Sequence, residues 1–516
     1  MSKFTRRDFL KALPAVPFFK LAWDGMETAV SNIQTQAQNS DHPNILFIVF
    51  DTLSARHVTL HGYQRDTTPN FARFAEKATV YHNHRSTANF TSSATSSMFT
   101  GTYPWTHRAF HLHGTIGNGM IDRNFFSMLP NDYHKVAYTH NLLVASLLHQ
   151  FGGEVDNFIQ TRELCLADEQ FADRLFNRDY SVAFWGEETA LRTGATSPGT
   201  LYLSLFDRLN RFSTKSQIEN QFSEQYPVGV PSLHNLFFLL EDAIDWIGNE
   251  VTGLPQPFLG YFHLLPPHEP YTPRADFFEM FKQDGFRPVE KERHQFSDNT
   301  SQAELNRERR LYDEFLAFTD SEFGRLMDML EASGIMQNSY IVLTSDHGEL
   351  FERGIRGHVT PTLFDPLIHV PLIISKPGQT GREDVFSQTS ATDLLPTLLS
   401  ITDQPIPEWV EGQVLPNISD TPEDESRITY AVEAKSNPKM APLNKITLAQ
   451  VEGNHKLIHY KGHRANNPEG FYELYDLEAD PEELTNLFDE ADAVSSELKE
   501  KLDQKLNEVN QPFTRQ

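Results

Sequence analysis

Residues Ile45-Leu-Phe-Ile-Val-Phe50 form an uninterrupted apolar run of strand length, and Asp51 ends it. A strand with no polar side chain has no face to offer water, so it must be covered on both sides, as parallel strands packed between helices are. The same pattern returns at Tyr340-Ile-Val-Leu-Thr344, which runs into Ser345-Asp346-His347-Gly348. Lys135-Val-Ala-Tyr-Thr139, Phe258-Leu-Gly-Tyr-Phe-His263 and Val370-Pro-Leu-Ile-Ile374 add further strands, and Thr79-Val80-Tyr81 a short one. Helical patterns fall between them. Pro69-Asn70 opens one with Phe71, Phe74, Ala75 and Ala78 at helical spacing, Thr91 to Thr100 is stopped by Gly101 and Pro104, and Arg309 to Leu330 is long and amphipathic. This alternation predicts an α/β fold, a mostly parallel sheet sandwiched by helices.

The texture changes twice. Residues 155–255 mix aromatic and polar side chains without a strand rhythm and read as an insertion of helices and loops in a main domain of residues 41–418. Beyond an Asp/Glu/Pro-rich linker at 419–426, residues 427–510 carry short strands at 428–432, 446–450 and 455–459 and a final charged helix near 491–508. They predict a small C-terminal antiparallel sheet plus helix. At the other end, Thr5-Arg6-Arg7-Asp8-Phe9-Leu10-Lys11 matches the twin-arginine export pattern and precedes a short apolar stretch. Residues 1–40 are therefore expected to be an export signal or N-terminal extension, with a periplasmic or other extracytoplasmic destination; a basic amphipathic N-terminal helix on a cytoplasmic chain is the alternative.

A formal net charge of −26 repels phosphate backbones and anionic membranes, which argues against nucleic acid as a partner. It does not exclude a small anionic substrate, because a bound cation inverts the field inside a cleft. The single cysteine, Cys165, excludes an intramolecular disulfide and a cysteine-based metal site. No later segment has the ~20 apolar residues that cross a bilayer.

Three segments carry chemistry. Asp51 and the Asp346-His347 pair stand where buried strands end, the edge at which open α/β sheets bind ligands. Carboxylate oxygens with one imidazole suit Zn²⁺ or Mn²⁺ better than Ca²⁺ or Mg²⁺, which favour all-oxygen shells; either of the latter stays open. Thr91 opens its helix among unpaired backbone N–H groups, a place that favours an alkoxide and receives an anionic ester. A free threonine hydroxyl is a weak nucleophile, and a bound cation makes it usable. His268, in the proline-fixed Pro266-Pro267-His268-Glu269-Pro270 loop, and His358, after Gly357, are the candidates to bind a non-bridging oxygen or protonate the leaving oxygen. His107, His111 and His113 form a further local cluster.

Pro43-Asn44-Ile45 through Asp51-Thr52-Leu53, Gly62-Tyr63, Thr67-Thr68-Pro69-Asn70, and Thr91 through Pro104 resemble the opening of the sulfatase-like branch of the alkaline phosphatase superfamily. Thr344 through Glu349, Gly357-His358 and Val370 through Ile373 are similar to its second metal segment, and Tyr475 through Pro481 with Asn486-Leu487 to its C-terminal subdomain. The resemblance implies an alkaline phosphatase-like fold, a divalent metal held by Asp51, Thr91, Asp346 and His347, Thr91 in the nucleophile position, and substrate contacts from His268 and His358. It also shows departures. Sulfatases carry Cys or Ser at the nucleophile position, matured to formylglycine, in a Cys/Ser-x-Pro/Ala-x-Arg pattern whose Pro and Arg fall here on Ser93 and Thr95. The second residue of the family's Asp-Asp pair is Thr52, and its Gly-Lys-x-His segment corresponds to Thr139-His140-Asn141-Leu142.

These departures favour phosphorus over sulfur. Formylglycine hydrate ejects sulfate by collapsing to an aldehyde; a threonine sulfate ester cannot. A threonine phosphate ester can be cleaved by water or passed to an alcohol. The expectation is a metal-dependent hydrolase or phosphotransferase acting on phosphate or phosphonate esters of small molecules, glycans or lipid-linked groups. A sulfuric ester hydrolase and a catalytically inactive binding protein on the same scaffold are the alternatives.

Overall fold

The computed structural model describes residues 42–166, 212–233, 236–418 and 421–514. The expected export signal and much of the expected insertion lie outside the described residues. Eight strands build the main sheet: β1 (Asn44–Phe50), β2 (Thr79–Tyr81), β3 (His134–Thr139), β4 (Asn157–Ile159), β5 (Phe258–Leu264), β6 (Ser339–Thr344), β7 (Leu372–Ser375) and β8 (Glu383–Val385). Their spatial order is β8-β2-β7-β6-β1-β5-β3-β4. β7 alone runs against its neighbours.

The apolar run that opens the chain is explained by its place at the centre of this sheet. Side chains alternate between the two faces of a strand. Leu46, Ile48 and Phe50 pack on one face with Phe71, Ile244 and Phe323, from helices α1 (Pro69–Ala75), α4 (Leu240–Gly253) and α5 (Gln302–Ser333). Ile45, Phe47 and Val49 pack on the other with Phe99, Leu147 and Leu395, from α2 (Thr91–Thr100), α3 (Leu142–Gln150) and α6 (Leu394–Ile401). Asp320, within α5, accepts the backbone N–H groups of Asn70 and Phe71 at 2.9 and 2.8 Å and so caps the start of α1.

One stretch differs from the sequence expectation. Asn157–Ile159, inside the span read as an insertion, is the edge strand of the main sheet beside β3, and α4 from the same span packs on the core. The C-terminal sheet has four antiparallel strands, β9 (Ile428–Glu433), β10 (Ile446–Glu452), β11 (His455–Lys461) and β12 (Phe471–Asp476). One face of it takes Leu498, Leu502 and Leu506 of helix α7 (Ala493–Asn510); the other packs on Leu363, Phe364 and Leu367 of the main body. No helix among the described residues is long and apolar enough to cross a membrane.

A buried ion cluster fastens the small sheet to the main body. Lys456 Nζ on β11 lies 3.0 Å from Asp365 Oδ1 and 2.7 Å from Glu483 Oε1, and Arg56 reaches Asp365 Oδ2 at 3.1 Å. Burial alone would raise the Asp365 pKa, but Lys456, Arg85 and Arg56 hold it well below the usual carboxylate range. Removing one partner of such a cluster leaves an uncompensated buried charge. Lys456→Met should therefore lower the stability of the chain by about 3–5 kcal/mol, measured by urea unfolding.

Candidate active site

Four segments reach the same row at the carboxyl ends of the central strands. Val49 pairs with both His263 and Thr344, and Thr139 pairs with His263. Asp51, Asn141, His263 and the Asp346-His347 pair therefore converge at one edge, as ligand-binding residues of open α/β sheets do.

Each carboxylate has one oxygen tied down and one left free. Asp51 Oδ2 accepts hydrogen bonds from Asn141 Nδ2 at 2.6 Å and His263 Nε2 at 3.3 Å, whereas Oδ1 is buried without a hydrogen-bond partner. Asp346 Oδ1 accepts the backbone N–H groups of His347 at 2.9 Å and Thr52 at 3.3 Å, whereas Oδ2 is likewise unpartnered. His347 Nδ1 lies 3.0 Å from the Gly348 carbonyl, so the ring hydrogen sits there and Nε2 presents its lone pair. That Nε2 is 3.7 Å from Asp51 Oδ1, 3.5 Å from Asp346 Oδ2 and 3.3 Å from Thr91 Oγ1. Asp51, Asp346 and His347 each offer one ligand atom, all within 4.8 Å of one another. Two anionic oxygens without hydrogen-bond donors, buried beside an imidazole lone pair that only the Thr91 hydroxyl reaches, form an arrangement that a divalent cation completes. The donor set fits a divalent cation.

Charge in the site follows from its neighbours. Burial alone would raise the Asp51 pKa, but the hydrogen bond from His263, with His268 and His347 nearby, keeps it below the usual carboxylate range. Burial pushes His347 down, and His358 adds to this; Asp346 and Asp51 only partly offset it. A neutral imidazole is the ligand form.

Thr91 is the first residue of α2, behind an extended Phe90, and is 3 % exposed. The helix is polar yet wholly buried, and some of its hydroxyls find backbone partners: Ser96 Oγ donates to the Ser92 carbonyl at 2.6 Å, Thr100 Oγ1 to that of Ser96 at 2.7 Å and Ser92 Oγ to that of Leu112 at 2.6 Å. Ser97 takes the His107 ring at 3.0 Å. His107 is thus a satisfied core residue, and His111 bonds the Asn437 carbonyl at 2.7 Å; neither joins the carboxylates.

His268 and His358 stand next to His347. Their ring centroids are 5.0 Å apart, and that of His358 is 4.6 Å from His347. His358 Nδ1 lies 3.1 Å from Glu349 Oε1, and Tyr271 O–H donates to Glu349 Oε2 at 3.1 Å. Burial alone would lower the His358 pKa, but Glu349 raises it to about 9.

Asn141, His263 and Glu349 are contacts that sequence reasoning did not single out. Asn141 caps α3, its Oδ1 accepting the Leu143 N–H at 2.8 Å, which turns Nδ2 toward Asp51 and, at 3.4 Å, Thr91 Oγ1. Thr52 has φ 60°, a left-handed conformation unfavourable for a β-branched residue, between a backbone N–H held by Asp346 and a carbonyl held by Tyr312 O–H at 2.7 Å. Such strain concentrates at functional sites.

Comparison with known proteins agrees with this architecture. The sulfatase family model matches residues 43–153 and 204–404, and the model of the N-sulphoglucosamine sulphohydrolase C-terminal region matches residues 360–512. An ulvan-active sulfatase of Formosa agariphila is 23% identical over 501 residues, covering 93% of this chain and 84% of the relative. The solved phosphonate monoester hydrolase from Silicibacter pomeroyi superposes with a TM-score of 0.64 at 18% identity, over 92% of this chain and 96% of that one. A further solved relative, in complex with its substrate D-glucosamine-2-N,6-O-disulfate, gives a TM-score of 0.61 at 17% identity, over 92% and 98% of the two chains. The chain belongs to the sulfatase family of ester hydrolases, on an alkaline phosphatase-like fold.

Proposed function

We propose that this chain is a divalent-cation-dependent hydrolase that cleaves phosphate or phosphonate esters, with Thr91 as nucleophile. One observation carries the reading: the Thr91 hydroxyl stands 3.3 Å from His347 Nε2, beside two buried carboxylate oxygens that have no hydrogen-bond partner. Asp51, Asp346 and His347, with Thr91, would hold the cation. Bound there, it favours loss of the hydroxyl proton and offsets negative charge at the reacting phosphorus.

The Thr91 oxygen attacks phosphorus in line as the bond to the leaving oxygen breaks. Its own proton passes to solvent, and His358 or His268 gives one to the leaving oxygen. Water then attacks the phosphothreonine, the Thr91 oxygen–phosphorus bond breaks, and the hydroxyl is restored. An alcohol in place of water would make the chain a phosphotransferase. The substrate is a small-molecule, glycan-linked or lipid-linked anionic ester. The Arg6-Arg7 motif supports an extracytoplasmic place of action.

A sulfuric ester substrate is the second reading. It is favoured by the ulvan-active sulfatase and by the relative solved with a disulfated glucosamine. Intact-mass analysis after incubation with a panel of phosphate, phosphonate and sulfate esters separates the two. The expected result is a phosphoryl or phosphonyl adduct mapped to Thr91; turnover of sulfate esters alone, with no adduct there, would overturn the first reading.

A further inference from the structure

We propose that His263, backed by Tyr261, is a positioning residue that decides which oxygen of Asp51 is offered to the cation. The inference rests on the cation site proposed above.

Tyr261 and His263 are two apart on β5, so their side chains leave the same face of the sheet. Tyr261, His263 and Asp51 are all fully buried. The Tyr261 oxygen lies 3.1 Å from His263 Nδ1, and His263 Nε2 lies 3.3 Å from Asp51 Oδ2. A phenol that donates to Nδ1 leaves the ring hydrogen on Nε2, and an imidazolium carries a hydrogen on both nitrogens. In either state Nε2 is a donor toward Asp51, not a lone pair for a metal. Burial holds the Tyr261 hydroxyl in its protonated form.

Asp51 Oδ2 is thereby claimed twice, by His263 and by Asn141. A carboxylate held at one oxygen by two donors cannot rotate to present both oxygens, so Oδ1 alone faces His347 Nε2 and Asp346. His263 Nε2 also lies 3.8 Å from Asp346 Oδ2, so the same N–H stands between two carboxylates that would otherwise repel. Partners of this kind, one step removed from a metal, set ligand orientation, and their loss typically costs 10–100-fold in metal affinity.

The test is calorimetric titration of Mn²⁺ into the cation-stripped full-length chain. His263→Phe should weaken Mn²⁺ binding by about 10–100-fold. His263→Gln, whose amide supplies an N–H near the position of Nε2, should recover most of that loss. Tyr261→Phe, the mildest change, should produce a smaller loss and serves where His263→Phe does not fold. Mn²⁺ affinity unchanged in both His263→Phe and Tyr261→Phe would overturn the assignment. So would a Gln variant as weak as the Phe variant, because the imidazole itself would then be the ligand. A wild-type chain that binds no Mn²⁺ would overturn the cation site, and this inference with it.

Discussion

Thr91→Ala should lower turnover of a phosphate or phosphonate ester by at least about 10⁴-fold, with cation binding weakened but still carried by Asp51, Asp346 and His347. Removing a covalent nucleophile costs on this scale because what remains is positioning and electrostatics alone. In activation free energy the loss is about 5.4 kcal/mol. The fold should survive the change. Thr91 Oγ1 makes only long contacts, 3.3 Å to His347 and 3.4 Å to Asn141, and the helix it opens is fixed by its own backbone and by Ser96 and Thr100. Thr91→Val, nearly isosteric, should be as inactive as Thr91→Ala, whereas Thr91→Ser keeps the hydroxyl and should keep measurable turnover. Steady-state kinetics on the three variants, with Mn²⁺ titration beside them, checks this. Full activity in Thr91→Val would show that another group attacks.

That this hydroxyl could be singled out from sequence has a physical basis. Asp51 and Asp346-His347 stand where apolar runs end and Thr91 where a helical stretch begins, and such boundaries are what a sequence displays. The end of Ile45–Phe50 and the end of Tyr340–Thr344 are visible in the order of residues, and the start of the Ser/Thr-rich helix is visible in Phe90-Thr91 and in the glycine that closes it.

His263 and Asn141 carry no such mark. His263 lies within an apolar strand, and its meaning comes from a contact with Asp51, 212 positions away. Asn141 reads as an ordinary helix cap; only the folded chain shows that its amide nitrogen meets Asp51, 90 positions distant. The edge strands escape for a different reason. Asn157–Ile159 and Glu383–Val385 are three residues each, too short to show alternation, and the second includes two acids at a sheet edge. Contacts of long sequence separation are what a linear reading of this molecule cannot see; of the described three-residue strands of the main sheet, Thr79–Tyr81 alone is legible, through its β-branched and aromatic side chains.

Asp346→Asn should abolish stoichiometric binding of a divalent cation and reverse the effect of chelation on stability. In the wild type, Oδ2 of Asp346 and Oδ1 of Asp51 are buried without hydrogen-bond donors. With no cation bound those two oxygens are costly, because each has lost its hydration while only the other oxygen of its carboxylate is hydrogen-bonded. A cation that binds the folded chain alone repays this and adds stability as RT ln(1 + [L]/Kd), about 2.7 kcal/mol at a hundredfold excess over Kd. The Asn side chain keeps an oxygen for the backbone N–H groups of His347 and Thr52, now held by Oδ1, and turns an amide toward Asp51. It removes one negative charge and supplies the donor that the free Asp51 oxygen lacks. In EDTA the variant should therefore melt at or above the wild-type temperature, whereas in saturating Mn²⁺ the wild type should rise and the variant should not. Melting curves of both chains in the two buffers decide the matter. If EDTA leaves the wild type unchanged and the variant falls below it in both, the paired carboxylates are part of an ordinary hydrogen-bonded core and the cation has no place among them. The crossing, if seen, identifies a site in which stability of the empty fold is given up so that the bound ion can hold Thr91 in reach of its substrate.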